Sequence, residues 1–283
     1  MKNIAIISNK SRDRDYRVTR DVYSRLSELG LKCRLDLWAS ESILGSSGFE
    51  TLPEDTDLVI VVGGDGSMLD ASVQAIPLGI PMLGVNLGKV GYLSEVDPEK
   101  LSMLSGLVSG DYVIEEKMLL SAAVCHGGRI EKIDRYAVND VVISHESFLG
   151  LAELLVEDAE KNALSYRADG LIVATPQGST AYSLSSGGPI VAHDVDGIIL
   201  TPVSPHSFFN RSVIFNSGDE LSVTNTGKSE VNVSIDGRLC ARLAVMDTCV
   251  IRRAEKRVKV LTFSKNSMFT NLFKKMRILE DID

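Results

Sequence analysis

The sequence predicts an α/β N-terminal domain built on a parallel sheet and a β-rich C-terminal domain, with the end of the chain packing back on the first domain. Three observations predict it. Continuous apolar runs alternate with helical spacing through the first third of the chain, and short β-branched segments divided by Gly, Asn and Asp turns follow from about residue 113. Within the first of these regions, a glycine-rich turn stands directly behind the third apolar run.

"NIAIIS" (3–8) reads as a buried strand, and residues 14–29 place Val18, Val22, Leu26 and Leu29 at helical spacing, with Gly30 suited to the helix end. "LKCRLDLW" (31–38) alternates and is expected as a second strand; "DLVIVV" (57–62) and "MLGVN" (82–86) are expected as the third and fourth. Apolar strands separated by helices indicate a parallel sheet covered on both faces. Beyond residue 113, "YVIEEKMLLSAAVC", "RIEKIDRYAVNDVVIS", "LAELLVE", "GLIVATP", "RSVIFN", "DELSVTN", "EVNVSID" and "RVKVLTFS" supply strands. The stretch "MFTNLFKKMRILED" has helical spacing at Met268, Leu272, Phe273 and Met276. The expected domains are 1–112 (α/β), with a tail, 264–283, returning to it, and 113–263 (β-rich).

A length of 283 residues suits two domains, and 44% hydrophobic with 24% charged residues is ordinary for a folded protein. The net charge of −8 argues against nucleic-acid binding, although residues 251–277 carry nine Lys/Arg against one acid; that run suits a solvated strand edge and an amphipathic tail. No apolar stretch approaches the roughly 18 residues of a membrane helix, and "MKNIAIISNK" is too short in apolar residues for a signal peptide. A cytoplasmic protein without membrane partners is expected. Four scattered cysteines and four histidines form no CxxC or HExxH pattern, which argues against structural zinc or a disulfide framework.

The sharpest local signal is "VVGGDGSMLD" (61–70). Gly63, Gly64 and Gly66 let the chain turn and let a ligand approach backbone N–H groups, while the helix behind them points its positive end at a phosphate. Asp65 in their midst would repel phosphate, so it does chemistry, holds a metal or builds the turn. The pattern is neither a Walker loop, since "GVNLGK" is one residue short and has Val90 where Ser or Thr is needed, nor GxGxxG, since Leu69 takes the third glycine position. Taken alone, a glycine turn behind a strand serves packing as often as binding. A second cluster, "DGLIVATPQGSTAYSLSSGGP" (169–189), offers small donors and close backbone approach, as a surface wrapping a polar nucleotide requires. "NLGKVGYL" (86–93) adds a glycine turn, and "AVNDVVIS" (137–144) sets Asn139 and Asp140 among apolar strand residues.

In order, Gly63-Gly64-Asp65-Gly66, Asn86 with Gly88, Gly91 and Tyr92-Leu93, Asn139-Asp140, Asp169-Gly170, and Thr175-Pro176 with Gly178-Ser179-Thr180-Ala181-Tyr182 and Gly187-Gly188-Pro189 resemble the NAD kinase family. "TPVSPH" (201–206) and Asp236-Gly237 extend the resemblance, which covers about residues 57–240. It implies transfer of the γ-phosphoryl group of ATP to the 2′-hydroxyl of the adenosine ribose of NAD, with Mg²⁺, giving NADP. It makes 1–112 the nucleotide-binding domain and 113–263 the NAD-binding domain.

By the same resemblance, Asp65 helps remove the proton of that hydroxyl, and the glycine amides hold phosphate. Asn139 and Asp140 contact the dinucleotide at ribose hydroxyls, and Asp169 recognises the nicotinamide end. Thr180, Ala181 and Tyr182 line the groove, Tyr92 and Leu93 belong to the same set, and Ser185 and Ser204 complete it. Arg167 suits a phosphate or carboxylate partner and equally a structural ion pair. Gln177 stands where the family has Thr or Ser, which puts an adenine contact in doubt; Tyr92 replaces Phe, and Ser212 stands where many members have Pro. The resemblance also implies a homodimer or homotetramer. The rivals are a lipid kinase, which shares a GGDG loop but not "TPQGSTAYSLSSGGP", and a non-catalytic dinucleotide sensor, which has no need of Asp65.

Overall fold

A computed structural model describes residues 1–88, 94–146, 150–206 and 209–263. The chain divides into two compact units. The first holds Met1–Lys117 and, among the described residues, 257–263; the second holds Met118–Lys256. The proposed tail helix, with Met268, Leu272, Phe273 and Met276, lies outside the described residues.

The first unit runs β1 (Asn3–Ser8), α1 (Arg17–Glu28), β2 (Lys32–Leu35), α2 (Leu37–Leu44), β3 (Leu58–Gly63), α3 (Asp65–Leu78), β4 (Met82–Asn86), β5 (Ser94–Val96) and α4 (Gly106–Ser109). Its strands lie in the order β4-β3-β1-β2, all parallel, and β5 adds to β4. Every residue of β3 is buried, as expected for a strand covered on both faces. Val22 and Leu26 carry the inner stripe of α1 into a core with Ile4, Ile6, Leu58 and Ile60. Gly30, at φ +76°, ends that helix.

The second predicted strand is shorter than expected. It stops at Leu35, and the residues expected to continue it begin α2 instead. Asp36 is the cause: one carboxylate oxygen accepts from the Ala39 amide at 3.0 Å and caps the helix, while the other accepts from Ser8 N at 2.6 Å. Trp38 therefore leaves the sheet and stands exposed.

β6 (Val113–His126) leads from the first unit into the second, which continues with β7 (Arg129–Lys132), β8 (Asp140–His145), β9 (Ala152–Glu157), β10 (Ala163–Ala168), β11 (Gly170–Ala174), α5 (Tyr182–Ser185), β12 (Gly197–Val203), β13 (Val213–Asn216), β14 (Glu220–Asn225), β15 (Val231–Ile235) and β16 (Arg238–Leu243). Six of these strands form an antiparallel sheet, β13-β12-β11-β8-β15-β16. Others pair in the order β10-β9-β14 and onward to β17 (Thr248–Thr262). β17 starts in the second unit, paired with β14, and ends in the first, where Val260 pairs in parallel with Met82 of β4. The strands β10, β12 and β16 were not among the expected segments.

Candidate active site

The first unit places the glycine turn where an open parallel sheet binds ligands. From β1 the chain passes through α1 to β2 on one side, and from β3 through α3 to β4 on the other. The order reverses between β1 and β3, and the turns leaving those two strands flank the crevice at their carboxyl ends. Gly64 caps α3, with its carbonyl accepting from Ser67 N at 2.9 Å and Met68 N at 3.1 Å. Asp65, the only acid of the first turn, is half-buried, and a carboxylate there is favoured by the helix dipole.

The three glycines differ in why they are there. A Cβ on Gly63 would collide with Ser67 Oγ and lie 2.6 Å from Ser67 Cβ, so this position is closed to any side chain. A Cβ on Gly66 would meet nothing within 4 Å; this glycine keeps open space in front of the helix. Gly64 faces Arg12, whose Nη1 would lie 3.7 Å from its Cβ.

Arg12 is a residue that sequence reasoning missed. The turn after β1 is shaped by Asn9, whose side-chain oxygen accepts from Ser11 N at 3.1 Å and Ser11 Oγ at 2.7 Å. That turn carries the exposed Arg12 guanidinium to Gly64 and to Gly88, at 3.4 Å from a Cβ built there. Asn86, at the end of β4, accepts from Gly88 N at 2.9 Å. A guanidinium beside helix-start amides makes a cradle for an anionic group. The expected contacts Tyr92 and Leu93 lie outside the described residues.

In the second unit the residues of the Asn-acid pair are held from two sides. The Asp236 carboxylate accepts from the amides of Val138 (2.9 Å), Asn139 (2.8 Å) and Asp140 (3.1 Å). Opposite, Thr175 N donates to Asn139 O at 2.8 Å and Thr175 Oγ1 to Val138 O at 2.7 Å. Gly178 packs directly on the Asn139 carbonyl, where no Cβ fits. Asn139 is half-buried; Asp140 is only 5% exposed. Burial, with the Asp236 charge beside it, pushes the Asp140 carboxyl up to about 7.

The Ser/Gly cluster around residues 175–189 forms short helical turns, and much of its hydroxyl chemistry is spent internally. Ser179 Oγ donates to Pro176 O at 2.7 Å and accepts from Val191 N at 3.1 Å, and Ser183 Oγ pairs with Thr201 Oγ1 at 2.9 Å. These are structural bonds. Gln177 is buried, Thr180 and Ala181 are half-buried, and Ser185 and Ser204 are exposed.

Asp169 and Tyr182 meet at a cavity of about 320 Å³ lined also by Ser144, His145, Glu146 and Asn232. His145 and Asn232 were not foreseen, because their places on β8 and β15 become neighbours only through sheet pairing. Arg167 Nε lies 3.4 Å from Glu153 Oε1 across the β9–β10 pair, with both side chains largely exposed.

Models of the ATP-NAD kinase N-terminal and C-terminal domains match residues 4–112 and 138–263. An NAD kinase of Agathobacter rectalis is 35% identical over 284 residues, 98% of this chain and 99% of that one. One from Natranaerobius thermophilus is 33% identical over 283 residues, 98% of each. Among solved structures, a yeast NADH kinase complexed with NADH is similar with a TM-score of 0.84 at 23% identity, covering 96% of this chain and 86% of that one. An NAD kinase from Archaeoglobus fulgidus in complex with ATP has a TM-score of 0.76 at 24% identity, covering 97% and 98%. At those identities the two structures establish the shared fold.

Proposed function

The chain belongs to the NAD kinase family, and on that premise we infer that it phosphorylates the 2′-hydroxyl of the adenosine ribose of NAD with ATP, giving NADP. In the step, the ribose oxygen bonds to the γ-phosphorus, the bond to the β,γ-bridging oxygen breaks, ADP leaves, and the hydroxyl proton passes to a base. Asp65 is that base. The observation that carries its role is a half-buried carboxylate at the first position of α3, next to a glycine with open space before it. Phosphoryl transfer needs alignment and charge neutralisation, which the amides of the glycine turn and Arg12 supply for the phosphates.

Asn139 and Asp140 contact the dinucleotide at ribose hydroxyls, Asp169 recognises its nicotinamide end, and Tyr182 stacks on a ring from its exposed position. Thr180, Ala181, Ser185, Ser204 and Gln177 complete that groove. Arg167, beside Glu153, is the candidate partner for a phosphate or carboxylate group. Mg²⁺ enters on the phosphates as part of the substrate; among the described residues no group of three or more His, Cys, Asp or Glu side chains is placed to hold a resident ion. Among those residues, too, no helix is long and apolar enough to cross a membrane. The protein assembles as a homodimer or homotetramer, for which the exposed Leu239, Val245 and Met246 offer apolar surface.

The test is an end-point assay with NAD, ATP and Mg²⁺, the product read by an NADP-specific dehydrogenase. The parent protein is expected to form NADP. Asp65→Asn is expected to lose about 10²–10⁴-fold in turnover, the usual contribution of general-base help, while still binding NAD by calorimetry. Near-normal turnover in the variant would remove the base role. Bound NAD without product in the parent would favour a sensor.

A further inference from the structure

We propose that Asp236 is a positioning residue for the dinucleotide: from the turn of a hairpin its carboxylate fixes the backbone of Val138, Asn139 and Asp140, and so sets how the last two side chains meet the ligand. The proposal rests on the reading of Asn139 and Asp140 as dinucleotide contacts.

Asp236 and Gly237 are the two-residue loop between β15 and β16, at φ +48° and +75°. Positive φ at both central residues is the type I′ turn, which Asn-Gly satisfies as well as Asp-Gly. The turn therefore gives no reason for a carboxylate. What requires one is the set of three N–H donors converging on it from Val138, Asn139 and Asp140 at 2.8–3.1 Å. Asp236 N in turn donates to Asp140 O at 3.0 Å.

With the two Thr175 bonds, all six backbone polar groups of residues 138–140 are thereby satisfied, four of them by Asp236 alone. A segment held this completely has no alternative hydrogen-bonding arrangement to relax into, and its side chains are preorganised. An asparagine at 236 keeps the turn and offers one oxygen to Asn139 and Asp140. It then faces the Val138 amide with its own NH₂, which cannot accept.

The same carboxylate acts electrostatically. Burial pushes the Asp236 carboxyl up, opposed by the three amide donors and Arg135, and its negative charge in turn raises Asp140 beside it. The strands flanking Asp140, β11 (Gly170–Ala174) and β15 (Val231–Ile235), bring no titratable side chain to it. Asp140 therefore gains a proton near neutrality. A carboxylate that accepts from ribose hydroxyls binds in its ionised form, so NAD affinity weakens as pH falls through about 7.

The experiment measures KM for NAD and for ATP from pH 5.5 to 8.5 in the parent, Asp236→Asn, Asp140→Asn and Gly237→Ala, with folding checked by thermal melting. Asp236→Asn is expected to raise KM for NAD about tenfold, leave KM for ATP within about twofold, and move the acid limb of kcat/KM for NAD to lower pH, as removal of a neighbouring negative charge requires. Gly237→Ala strains the turn but keeps the carboxylate, so the acid limb stays in place. If Asp236→Asn leaves KM and the limb unchanged while Asp140→Asn weakens NAD, the proposal is overturned alone. If Asp140→Asn leaves NAD affinity unchanged, the reading beneath it fails and takes the proposal with it. Should Asp236→Asn not fold, calorimetric NAD affinity of the parent decides: a profile flat between pH 6 and 8 overturns the electrostatic coupling.

Discussion

Asn9 Nδ2 donates to Ser67 Oγ at 2.8 Å, tying the turn that leaves β1 to the first turn of α3. The same Ser67 side chain fills the space in which a Cβ on Gly63 would sit, so strand, turn and helix lock through one hydroxymethyl group. Gly63→Ala is therefore expected to cost about 1–3 kcal/mol by overpacking and to lower the melting temperature by several degrees. Gly66→Ala, entering open space, is expected to melt like the parent yet impair turnover. Equal melting of the two variants would contradict this division of labour.

Arg12→Ala is expected to raise KM for ATP about tenfold or more, each tenfold being roughly 1.4 kcal/mol, with melting unchanged because the side chain is exposed. Arg12→Lys recovers part of the loss, since a lysine keeps the charge but not the forked donors. ATP titrations at saturating NAD decide it; an unchanged KM in Arg12→Ala removes the residue from the phosphate cradle.

Gly178→Ala would press a methyl group into the Asn139 carbonyl and to within 2.7 Å of Asn139 Cα. Backbone cannot rotate away as a side-chain end can, so the segment carrying Asn139 and Asp140 must shift. A loss of NAD affinity of about tenfold or more is expected by calorimetry. Parent-like affinity would show that the contact relaxes harmlessly.

Asp140 makes stability depend on pH with a definite sign. Its folded pKa of about 7 lies above the ordinary 3.8, so between these values the folded chain binds more protons than the unfolded one. The penalty of holding the buried charge is complete above about pH 7 and is relieved as pH falls toward 4. At roughly 1.4 kcal/mol per pKa unit this amounts to at most about 4 kcal/mol. Melting at constant ionic strength is expected to rise from pH 8 to 5.5 in the parent and to be flatter in Asp140→Asn. The opposite difference between the two would refute the assignment.

The elements legible in the sequence are those whose identity is local. Ile4–Ile7, Leu58–Val62 and Met82–Val85 are apolar runs that only a doubly covered strand satisfies, and the glycines at 63, 64 and 66 announce a turn by themselves. The start of α2 reads as strand because Leu35-Asp36-Leu37 alternates, and only the third dimension brings Ser8 N and Ala39 N to the Asp36 carboxylate. The same holds at the site. Arg12 reaches Gly64 through a turn on another strand, and Asp236 meets Asn139 across 97 residues. Neither has a local signature, since Arg in a polar turn and Asp before Gly are ordinary.

β17 runs out of one unit and into the other, which has a bearing on the order in which the protein is made. Leu261 belongs to the same core as Ile60 and Leu83, and the Phe263 ring occupies the space a Cβ on Gly106 would need while its amide donates to Glu95 at 3.0 Å. On the ribosome, residues 1–117 emerge without these partners and wait while residues 118–256 are synthesised, on the order of ten seconds. The nascent first unit therefore spends that interval with an unfinished core. A stop codon just before residue 257 would leave it so permanently, and the damage would fall on the half of the protein translated first.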